Sequence, residues 1–343
     1  MFYRHCVCSE STGPYVVGVD AGGTHTRAAI VTCDGAVAGY GAGPGANPNS
    51  GGDTARALTA ALTAALGDIA PPLVVGGVFG IAGAGAAGRP QAVAAANAAW
   101  RAAGLSGEPH VVTDIAVAFA AGSDEPDGIV VFAGTGAGAA VINDGAIVRR
   151  ADAYGWLVGD EGSAVWIGRE AVRAALHAYD GRGAPTVLAE SVPRAMLGEA
   201  AEPLLADLDP GVLSAEGGDP LAPCPGSPRS GLPQAIVKEV YGGPPAALGR
   251  LAPLVSSAAE AGDAVACRIV EGAARCLLRD VDAVHPALGR PGHGVVVAGS
   301  LLDQGPVADA VRAGLRSRFG TEPAPARDGA LGAARLAIRR LGL

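Results

Sequence analysis

The chain has 343 residues, 49% of them hydrophobic and 17% charged, so it can bury one large core or two ordinary ones, and two domains are favoured. Its net charge of −8 argues against a nucleic-acid backbone or an anionic membrane surface as a partner. Because no long uninterrupted apolar stretch and no apolar leader segment occurs, we expect neither membrane insertion nor export, and we expect a cytoplasmic protein.

Residues 1–14 are predicted to be a disordered extension, and the first informative segment follows them. Residues 15–20 read as a buried strand that ends in Asp20, and residues 24–31 read as the returning strand. Only small residues can make the turn between them, where glycines let backbone N–H groups approach a phosphate and hydroxyls add donors. This segment predicts a phosphate-binding hairpin.

Strands and helices then alternate, which indicates an α/β sheet with ligands at the carboxyl ends of its strands. A third strand is predicted over 36–40, and a loop that can present polar side chains over 41–50. Asp20 and Asp114 both fall just past the end of an apolar strand, where catalytic groups tend to lie. The other elements predicted here are a helix over 53–66, a strand over 74–81, a helix over 91–104 and a strand over 109–113.

A second hairpin repeats the first. A strand over 128–132, a Gly134-Thr-Gly136 turn and a strand over 139–142 have the same order of strand, turn and strand. The turn-forming residues 122–128 before it form the best domain boundary. A repeated phosphate turn is more specific than either copy, each of which could alone be an ordinary hairpin.

Two other nucleotide sites are excluded by the sequence. No P-loop pattern occurs, and Lys238, the only lysine, lies in no glycine loop. A dinucleotide fingerprint would place its glycines between a strand and a helix, whereas the second turn leads into another strand.

The rest of the chain is predicted to be mainly helical. The helix over 161–182 has Ser163 as a plausible N-cap, and the residues from 207 to 233 are predicted to form a long loop. Helices over 246–288 precede a buried strand over 293–298, and a last helix covers 328–341.

Seven short segments of the chain follow one another in a recognisable order: Gly18–Thr26, Gly45–Ser50, Gly80–Gly85, Val112–Asp114, Ala133–Gly136, Gly159–Ser163 and Val297–Ser300. This arrangement resembles the actin, hexokinase and Hsp70 ATPase superfamily and, within it, the BadF/BadG/BcrA/BcrD group, which includes N-acetylglucosamine kinase. The resemblance implies an α/β, two-domain actin-like ATPase (ribonuclease H-like) fold with an active-site cleft between the domains. The implied domains are 15–122 and 123–326, with a closing helix over 327–343.

The resemblance also implies roles for individual residues. Asp114 would be the catalytic base for a sugar hydroxyl, and Asp20 would hold Mg²⁺, since this cation favours carboxylate oxygens. Two alternatives stay open, because Asp114 could cap a helix starting at Ile115 and Asp160 could cap one at Glu161. The phosphate-binding residues implied are Gly22, Gly23, Thr24, Thr26, Gly134, Thr135 and Gly136; Gly299 and Ser300 would lie on the adenosine side, and Asn47, Gly83, Tyr154, Gly155 and Asp160 would bind the sugar.

The function implied is the ATP-dependent and Mg²⁺-dependent phosphorylation of an amino sugar, with N-acetylglucosamine phosphorylated at its 6-hydroxyl as the first choice. Glucosamine and a related cyclitol are the alternatives. No nucleic-acid or membrane partner is expected, and a homodimer is left open. Family members often carry lysine where His25 stands, so the charge offered to phosphate depends on pH here. Family members often have Gly-Trp-Gly in the segment where this chain has Tyr154. The substituent at C2 of the sugar is therefore the part of the substrate that the resemblance defines least.

Two further functions compete with the kinase. Some members of the group activate dehydratases through an iron-sulfur cluster between two subunits, which requires paired cysteines at the domain boundary. No cysteine lies between Cys33 and Cys224, which disfavours that function. A non-catalytic sugar sensor is disfavoured because both Asp20 and Asp114 are present.

Overall fold

The computed structural model describes residues 13–23, 25–47, 52–85, 87–206, 208–213, 231–289 and 294–343. Most of the extension predicted over 1–14 therefore lies outside the described residues. The chain forms two compact units: unit 1 combines the described residues up to Gly128 with Ile142–Ile147 and Ala324–Leu343, and unit 2 combines Ile129–Val141 with Val148–Pro323. The C-terminal segment thus belongs to unit 1.

The bounds of the elements are as follows. The strands are β1 Tyr15–Ala21, β2 His25–Thr32, β3 Val37–Pro44, β4 Val74–Ile81, β5 His110–Thr113, β6 Asp127–Ala133, β7 Ala137–Asn143, β8 Ala146–Asp152, β9 Gly294–Ala298 and β10 Ala324–Pro325. The α-helices are α1 Thr54–Leu66, α2 Arg89–Ala102, α3 Asp114–Gly122, α4 Ala164–Tyr179, α5 Leu188–Leu197, α6 Glu202–Leu205, α7 Leu232–Gly242, α8 Ala252–Glu260, α9 Ala264–Val284, α10 Pro306–Phe319 and α11 Gly329–Leu341.

The sheet of unit 1 has the strand order β3-β2-β1-β4-β5. The pairs β1–β2 and β2–β3 are antiparallel, whereas β1–β4 and β4–β5 are parallel. Asp20 near the end of β1 is in register with Gly80 of β4. The carboxyl ends of β1, β4 and β5 therefore meet at one edge of the sheet.

Glycines on β3 allow α1 to approach the sheet backbone. A Cβ atom at Gly41 would lie 2.2 Å from the carbonyl oxygen of Ala61, and one at Gly39 would lie 2.1 Å from that of Ala65. The strand consequently continues to Pro44, and the loop predicted to begin at residue 41 was wrong over 41–44. The sequence suggested a loop because glycine usually favours turns, whereas here it serves close packing.

The C-terminal helix α11 packs directly on β1. A Cβ atom at Gly18 would lie 2.0 Å from the carbonyl oxygen of Ala330, so only glycine fits at this crossing. Asp328 caps α11, because its Oδ1 atom accepts a hydrogen bond from the N–H of Ala330 at 2.8 Å. The core of this unit includes the fully buried side chains of Val17, Ile30, Leu58, Leu62, Phe79 and Trp100.

The second sheet has the order β10-β9-β6-β7-β8. Read from β8, this order repeats that of the first sheet, with a three-strand meander on one side and two later strands on the other. Ser163 caps α4 as predicted, since its Oγ atom accepts from the N–H of Trp166 at 3.1 Å. A separate core holds unit 2 together, with Ile129, Ile167, Tyr179, Leu188 and Leu232 among its fully buried side chains.

The loop and the helix predicted in the second half of the chain differ from the structure at their ends. The long loop predicted over 207–233 falls partly on Asp207 and residues 214–230, which lie outside the described residues, and its end was wrong because α7 begins at Leu232. The helix predicted over 161–182 is shorter, since α4 spans Ala164–Tyr179. Within the described part of the chain, none of the helices has the length and hydropathy needed to cross a bilayer.

Candidate functional site

Asp20 and Asp114 lie at the same edge of the first sheet. Asp20 is near the end of β1, and Asp114 directly follows β5 as the first residue of α3. After burial, which is the main cause, the negative charge of Asp114 raises the pKa of Asp20, as expected for neighbouring carboxyl groups. Asp114 directly follows β5, as predicted, whereas Asp20 lies within β1, one residue before its end, and not just past it.

The electrostatic environment disfavours the ionised form of both side chains. Burial is the main cause that raises the pKa of Asp20 to about 6; Asp114 and Asp328 raise it further, and Arg27 opposes them. Burial also raises the pKa of Asp114, against the lowering effect of backbone N–H groups at the start of α3. A carboxylate with a raised pKa accepts a proton more readily, which suits a general base.

Asp114 is not the cap of α3. Thr113 takes that position, and its hydroxyl oxygen accepts from the N–H of Ala116 at 3.3 Å. The capping alternative for Asp114 was therefore wrong.

The N-terminus of α11 encloses Asp20. A Cβ atom at Gly329 would lie 2.3 Å from the Oδ2 atom of Asp20 and 2.5 Å from its Cγ atom. The neighbouring Asp328 accepts a hydrogen bond from the hydroxyl of Tyr40 at 2.8 Å through its Oδ2 atom. Sequence reasoning missed Gly329 and Asp328, because only the fold brings residue 329 to residue 20.

The first turn is fixed by hydrogen bonds of both backbone groups of Gly22. The N–H of Gly22 donates to the carbonyl of His25 at 2.9 Å, and the carbonyl of Gly22 accepts from the N–H of Ala46 at 3.0 Å. The hydroxyl of Thr26 is fully buried and donates to the carbonyl of Pro44 at 2.7 Å, so it joins β2 to β3. Gly23 is exposed, whereas Thr24 lies outside the described residues.

The second turn is built in the same way. The N–H of Gly134 donates to the carbonyl of Gly136 at 2.9 Å, and the carbonyl of Gly134 accepts from the N–H of Ala164 at 2.8 Å. Thr135 at its tip is exposed. In each unit, therefore, the carbonyl of the leading glycine of the turn is tied to a later segment of the chain, Ala46 in one case and Ala164 in the other.

Asp160 lies against the second turn. Its Oδ1 atom accepts from the N–H of Ala137 at 3.3 Å, and a Cβ atom at Gly136 would lie 3.2 Å from its carboxylate oxygens. Burial is the main cause that raises its pKa, and Asp152 adds to the effect. The alternative that Asp160 caps a helix was wrong, since Ser163 is the cap of α4.

The 152–163 loop, which carries Asp160, is closed by Asp152. The Oδ1 atom of Asp152 accepts from the N–H of Asp160 at 2.8 Å, and its Oδ2 atom accepts from the N–H of Glu161 at 2.8 Å. Asp152, Ala153 and Asp160 all have positive φ angles, of 59°, 61° and 54°. Such backbone strain in non-glycine residues often accompanies functional sites. No sequence pattern predicted this role of Asp152.

The other residues predicted to bind sugar are spread over both units. Gly83 follows β4 with a φ of 80°, and Asn47 follows Ala46, the residue tied to the first turn. Tyr154 and Gly155 lie in the 152–163 loop. The ring of Tyr154 is 64% exposed and lies 5.5 Å from the guanidinium of Arg150, so one face is already used by a cation.

Gly299 and Ser300 follow β9, as predicted. A Cβ atom at Gly299 would lie 2.3 Å from the carbonyl oxygen of Ala133, and its φ is 93°. Ser300 is exposed. The loop after β9 therefore touches the strand that leads into the second turn.

Comparison with known proteins agrees with this architecture. The BadF/BadG/BcrA/BcrD ATPase family model matches residues 17–337. An N-acetylmuramic acid/N-acetylglucosamine kinase of Clostridium acetobutylicum is 39% identical over 88 residues, which is 26% of this chain. The match spans 29% of that relative's length.

Solved structures show a similar fold. A candidate N-acetylglucosamine kinase from Chromobacterium violaceum superposes with a TM-score of 0.64 at 24% identity, covering 95% of this chain and 99% of its own. A ROK family glucokinase from Streptomyces griseus, in complex with glucose and AMPPNP, superposes with a TM-score of 0.53 at 18% identity and covers 95% and 99% of the two chains. The predicted two-domain actin-like α/β fold and the predicted family resemblance are confirmed.

Proposed function

The chain belongs to the BadF/BadG/BcrA/BcrD ATPase family, and from this premise we propose that it is an ATP-dependent kinase that phosphorylates a hydroxyl group of an amino sugar. The observation that carries the proposal is the position of Asp20 and Asp114 at the carboxyl ends of β1 and β5, which meet at one edge of the first sheet. Phosphoryl transfer to an alcohol needs a base beside the accepting hydroxyl and neutralisation of the phosphate charge.

Asp114 acts as the base in this proposal. Its carboxylate accepts the proton of the sugar hydroxyl as the hydroxyl oxygen attacks the γ-phosphorus, and it orients that hydroxyl beforehand. Burial raises the pKa of Asp114, which favours its proton-accepting role. Thr113 provides the cap of α3, so the carboxyl group of Asp114 is not required for that purpose.

Asp20 fits a magnesium ion. Burial is the main cause that raises the pKa of Asp20 to about 6, and the negative charges of Asp114 and Asp328 add to it, so a bound cation would relieve repulsion at this site. The absence of a side chain at Gly329 leaves the space that the carboxylate of Asp20 occupies. When bound, Mg²⁺ would neutralise charge on the phosphate oxygens. Asp20 is the carboxylate that we assign to it.

The two turns are proposed to contact the phosphates of ATP. Gly22 and Gly23 in unit 1 and the Gly134-Thr-Gly136 turn in unit 2 supply backbone groups and one exposed hydroxyl. Thr26 is assigned a structural part instead, because its hydroxyl donates to Pro44. Gly299 and Ser300 are assigned to the adenosine side.

The acceptor is proposed to be N-acetylglucosamine, phosphorylated at its 6-hydroxyl. The support is the matching segment of the clostridial N-acetylmuramic acid/N-acetylglucosamine kinase. Asn47 and Asp160 would satisfy sugar hydroxyls, and Gly83, Tyr154 and Gly155 are the other residues assigned to sugar binding. Glucosamine and an amino cyclitol are the alternatives, since Tyr154 departs from the pattern of the family.

The deciding experiment measures ADP release with Mg-ATP and a panel of N-acetylglucosamine, N-acetylmuramic acid, glucosamine, N-acetylmannosamine, glucose and no sugar. Strong turnover with one amino sugar is expected, and mass spectrometry of the product should show one added phosphate. Hydrolysis of ATP that is indifferent to every sugar would contradict the amino-sugar kinase and favour either an ATPase activator or a cyclitol substrate.

A further inference from the structure

Helix α9 carries a buried carboxyl group that the proposed reaction does not use. Asp280 is 6% exposed, and its Oδ2 atom has no hydrogen-bond partner among the described residues. An ionised oxygen in this position has lost its water without gaining a donor, which is costly. A neutral carboxylic acid avoids most of that cost.

The charges around Asp280 favour the neutral form as well. Burial is the main cause that raises its pKa to about 7; Asp152 of β8 and Glu161 of the 152–163 loop act in the same direction, and Arg279 opposes them. The guanidinium of Arg279 is already paired with the carboxylate of Glu161. Cys276, one turn earlier on α9, is a further titratable group coupled to Asp280. The charges that act on Asp280 are thus those of Asp152, Arg279 and Glu161, and none of these three residues belongs to α4, α8 or α10.

Asp152 and Glu161 belong to the segment that positions Asp160. Asp152 accepts the N–H groups of both Asp160 and Glu161 at 2.8 Å. The loop also packs tightly on α9, because a Cβ atom at Gly162 would lie 2.7 Å from the carbonyl oxygen of Ala273. A new charge on α9 therefore acts on a loop that has little room to relax.

We propose that Asp280 is a neutral carboxylic acid behind the 152–163 loop and that its ionisation weakens the hold of Asp152 on the N–H groups of Asp160 and Glu161. A third negative charge there repels Asp152 and Glu161 and competes for Arg279. Asp280 is thus a positioning residue for Asp160. Only its effect on sugar binding rests on the proposed kinase function.

The direction of the pH effect follows from the raised pKa. The folded state binds the proton of Asp280 more tightly than the unfolded chain does, so this contribution to stability is fully present below the unfolded pKa of 3.8 and is lost as the pH rises through about 7. The loop is accordingly expected to be held best on the acidic side of neutrality.

The first test needs no turnover. Carbon-13 NMR of aspartate-labelled protein, with the Asp280 signal identified by its absence in Asp280→Asn, should show titration close to neutral pH. Amide exchange, corrected for its intrinsic pH dependence, should show that the N–H groups of Asp160 and Glu161 lose protection over the same range. If the variant folds poorly, the amide exchange of Asp160 and Glu161 in the wild-type chain still tests the inference, because it needs no assignment of the Asp280 signal.

The second test is kinetic. Between pH 6 and pH 8, the KM for the amino sugar should rise by up to about tenfold in the wild type, the equivalent of one weakened hydrogen bond. Asp280→Asn, which keeps the neutral form, should show a flat KM over this range. The matched control is Asp282→Asn, on the same helix, where an exposed carboxylate is paired with Arg318; it should keep the wild-type pH dependence.

An Asp280 signal that titrates in the ordinary range of aspartate would overturn the inference, and so would the same pH dependence of KM in wild type and Asp280→Asn. If no sugar is phosphorylated but Asp280 titrates near neutrality together with the exchange of the loop amides, the kinase proposal fails and the inference about Asp280 holds.

Discussion

At the residue scale, we expect the identity of residue 329, a glycine, to determine the position of the Asp20 carboxylate. An alanine at this position would put its Cβ atom 2.3 Å from the Oδ2 atom of Asp20, so the carboxylate or the first turn of α11 must shift. For Gly329→Ala we expect the Mg²⁺ concentration that gives half-maximal activity to rise about ten- to a hundredfold, as for other residues that orient a metal ligand. A titration of activity against Mg²⁺ measures it.

Gly242→Ala is the control for this change, because a Cβ atom at the end of α7 would meet nothing within 4 Å. It should leave the Mg²⁺ dependence unchanged. A wild-type Mg²⁺ dependence in Gly329→Ala would show that Asp20 is not the metal ligand, or that the first turn of α11 moves aside and leaves the carboxylate in place.

Asp114→Asn tests the proposed base. The amide keeps nearly the same volume but cannot accept the proton of the sugar hydroxyl, so kcat should fall by about 10²- to 10⁴-fold, while the sugar still binds. Single-turnover measurements and sugar binding by calorimetry separate the two effects. Near-normal turnover would show that Asp114 is not the catalytic base.

A site residue could be predicted from the sequence only where its neighbours along the chain form a recognisable pattern. The positions of Asp20 and Asp114 could be predicted because each lies at the carboxyl end of an apolar strand, and that of Ser163 because it precedes a helical pattern. Asp152, Asp280 and Gly329 could not be predicted in the same way. Their roles come from pairs of residues that lie far apart in the sequence, and such pairs depend on the register of packed elements.

At the scale of elements, the 152–163 loop connects the predicted sugar site with the second turn. Asp160→Ala removes a proposed sugar ligand and also the acceptor for the N–H of Ala137. We expect the KM for sugar to rise most, and the KM for ATP to rise less. Steady-state kinetics with each substrate varied in turn measures both.

Asp160→Asn provides the comparison, since its carbonyl oxygen can still accept from Ala137. It should restore the KM for ATP more fully than the KM for sugar. If Asp160→Ala leaves the KM for sugar unchanged, Asp160 does not bind the sugar.

The strands that were predicted best are buried ones. The prediction over 74–81 coincides with β4, whose second half is fully buried. β8 was missed because most of its side chains are exposed and two of them, Arg149 and Arg150, are charged, so it lacks the apolar run of a core strand. The strand over 41–44 was missed because its glycines pack against α1 instead of forming a turn.

At the scale of the whole molecule, the repeated hairpin in the sequence corresponds to a repeated strand order in the structure. Each sheet has a three-strand meander next to two later strands, and each unit has its own hydrophobic core. The sequence could predict the repetition from the two turns. It could not predict that the C-terminal helix returns to unit 1, since this depends on the fit between Gly18 and Ala330.

Two separate cores imply that the units can be destabilised one at a time. In Gly41→Ala the new Cβ atom would lie 2.2 Å from the carbonyl oxygen of Ala61, within unit 1, and in Gly168→Ala it would lie 1.9 Å from that of Leu248, within unit 2. Each contact forces the backbone apart and should cost about 1–3 kcal/mol of unfolding free energy. Hydrogen exchange followed by mass spectrometry resolves the two units.

Gly41→Ala should reduce the protection of β1 and β2 peptides while α9 peptides keep theirs, and Gly168→Ala should do the reverse. The two variants serve as each other's controls, because the same chemical change is made in each unit. Exchange reports local opening, so a unit that opens independently loses protection only when its own core is disturbed. Equal losses in both units for both variants would mean that the two cores unfold as one cooperative structure.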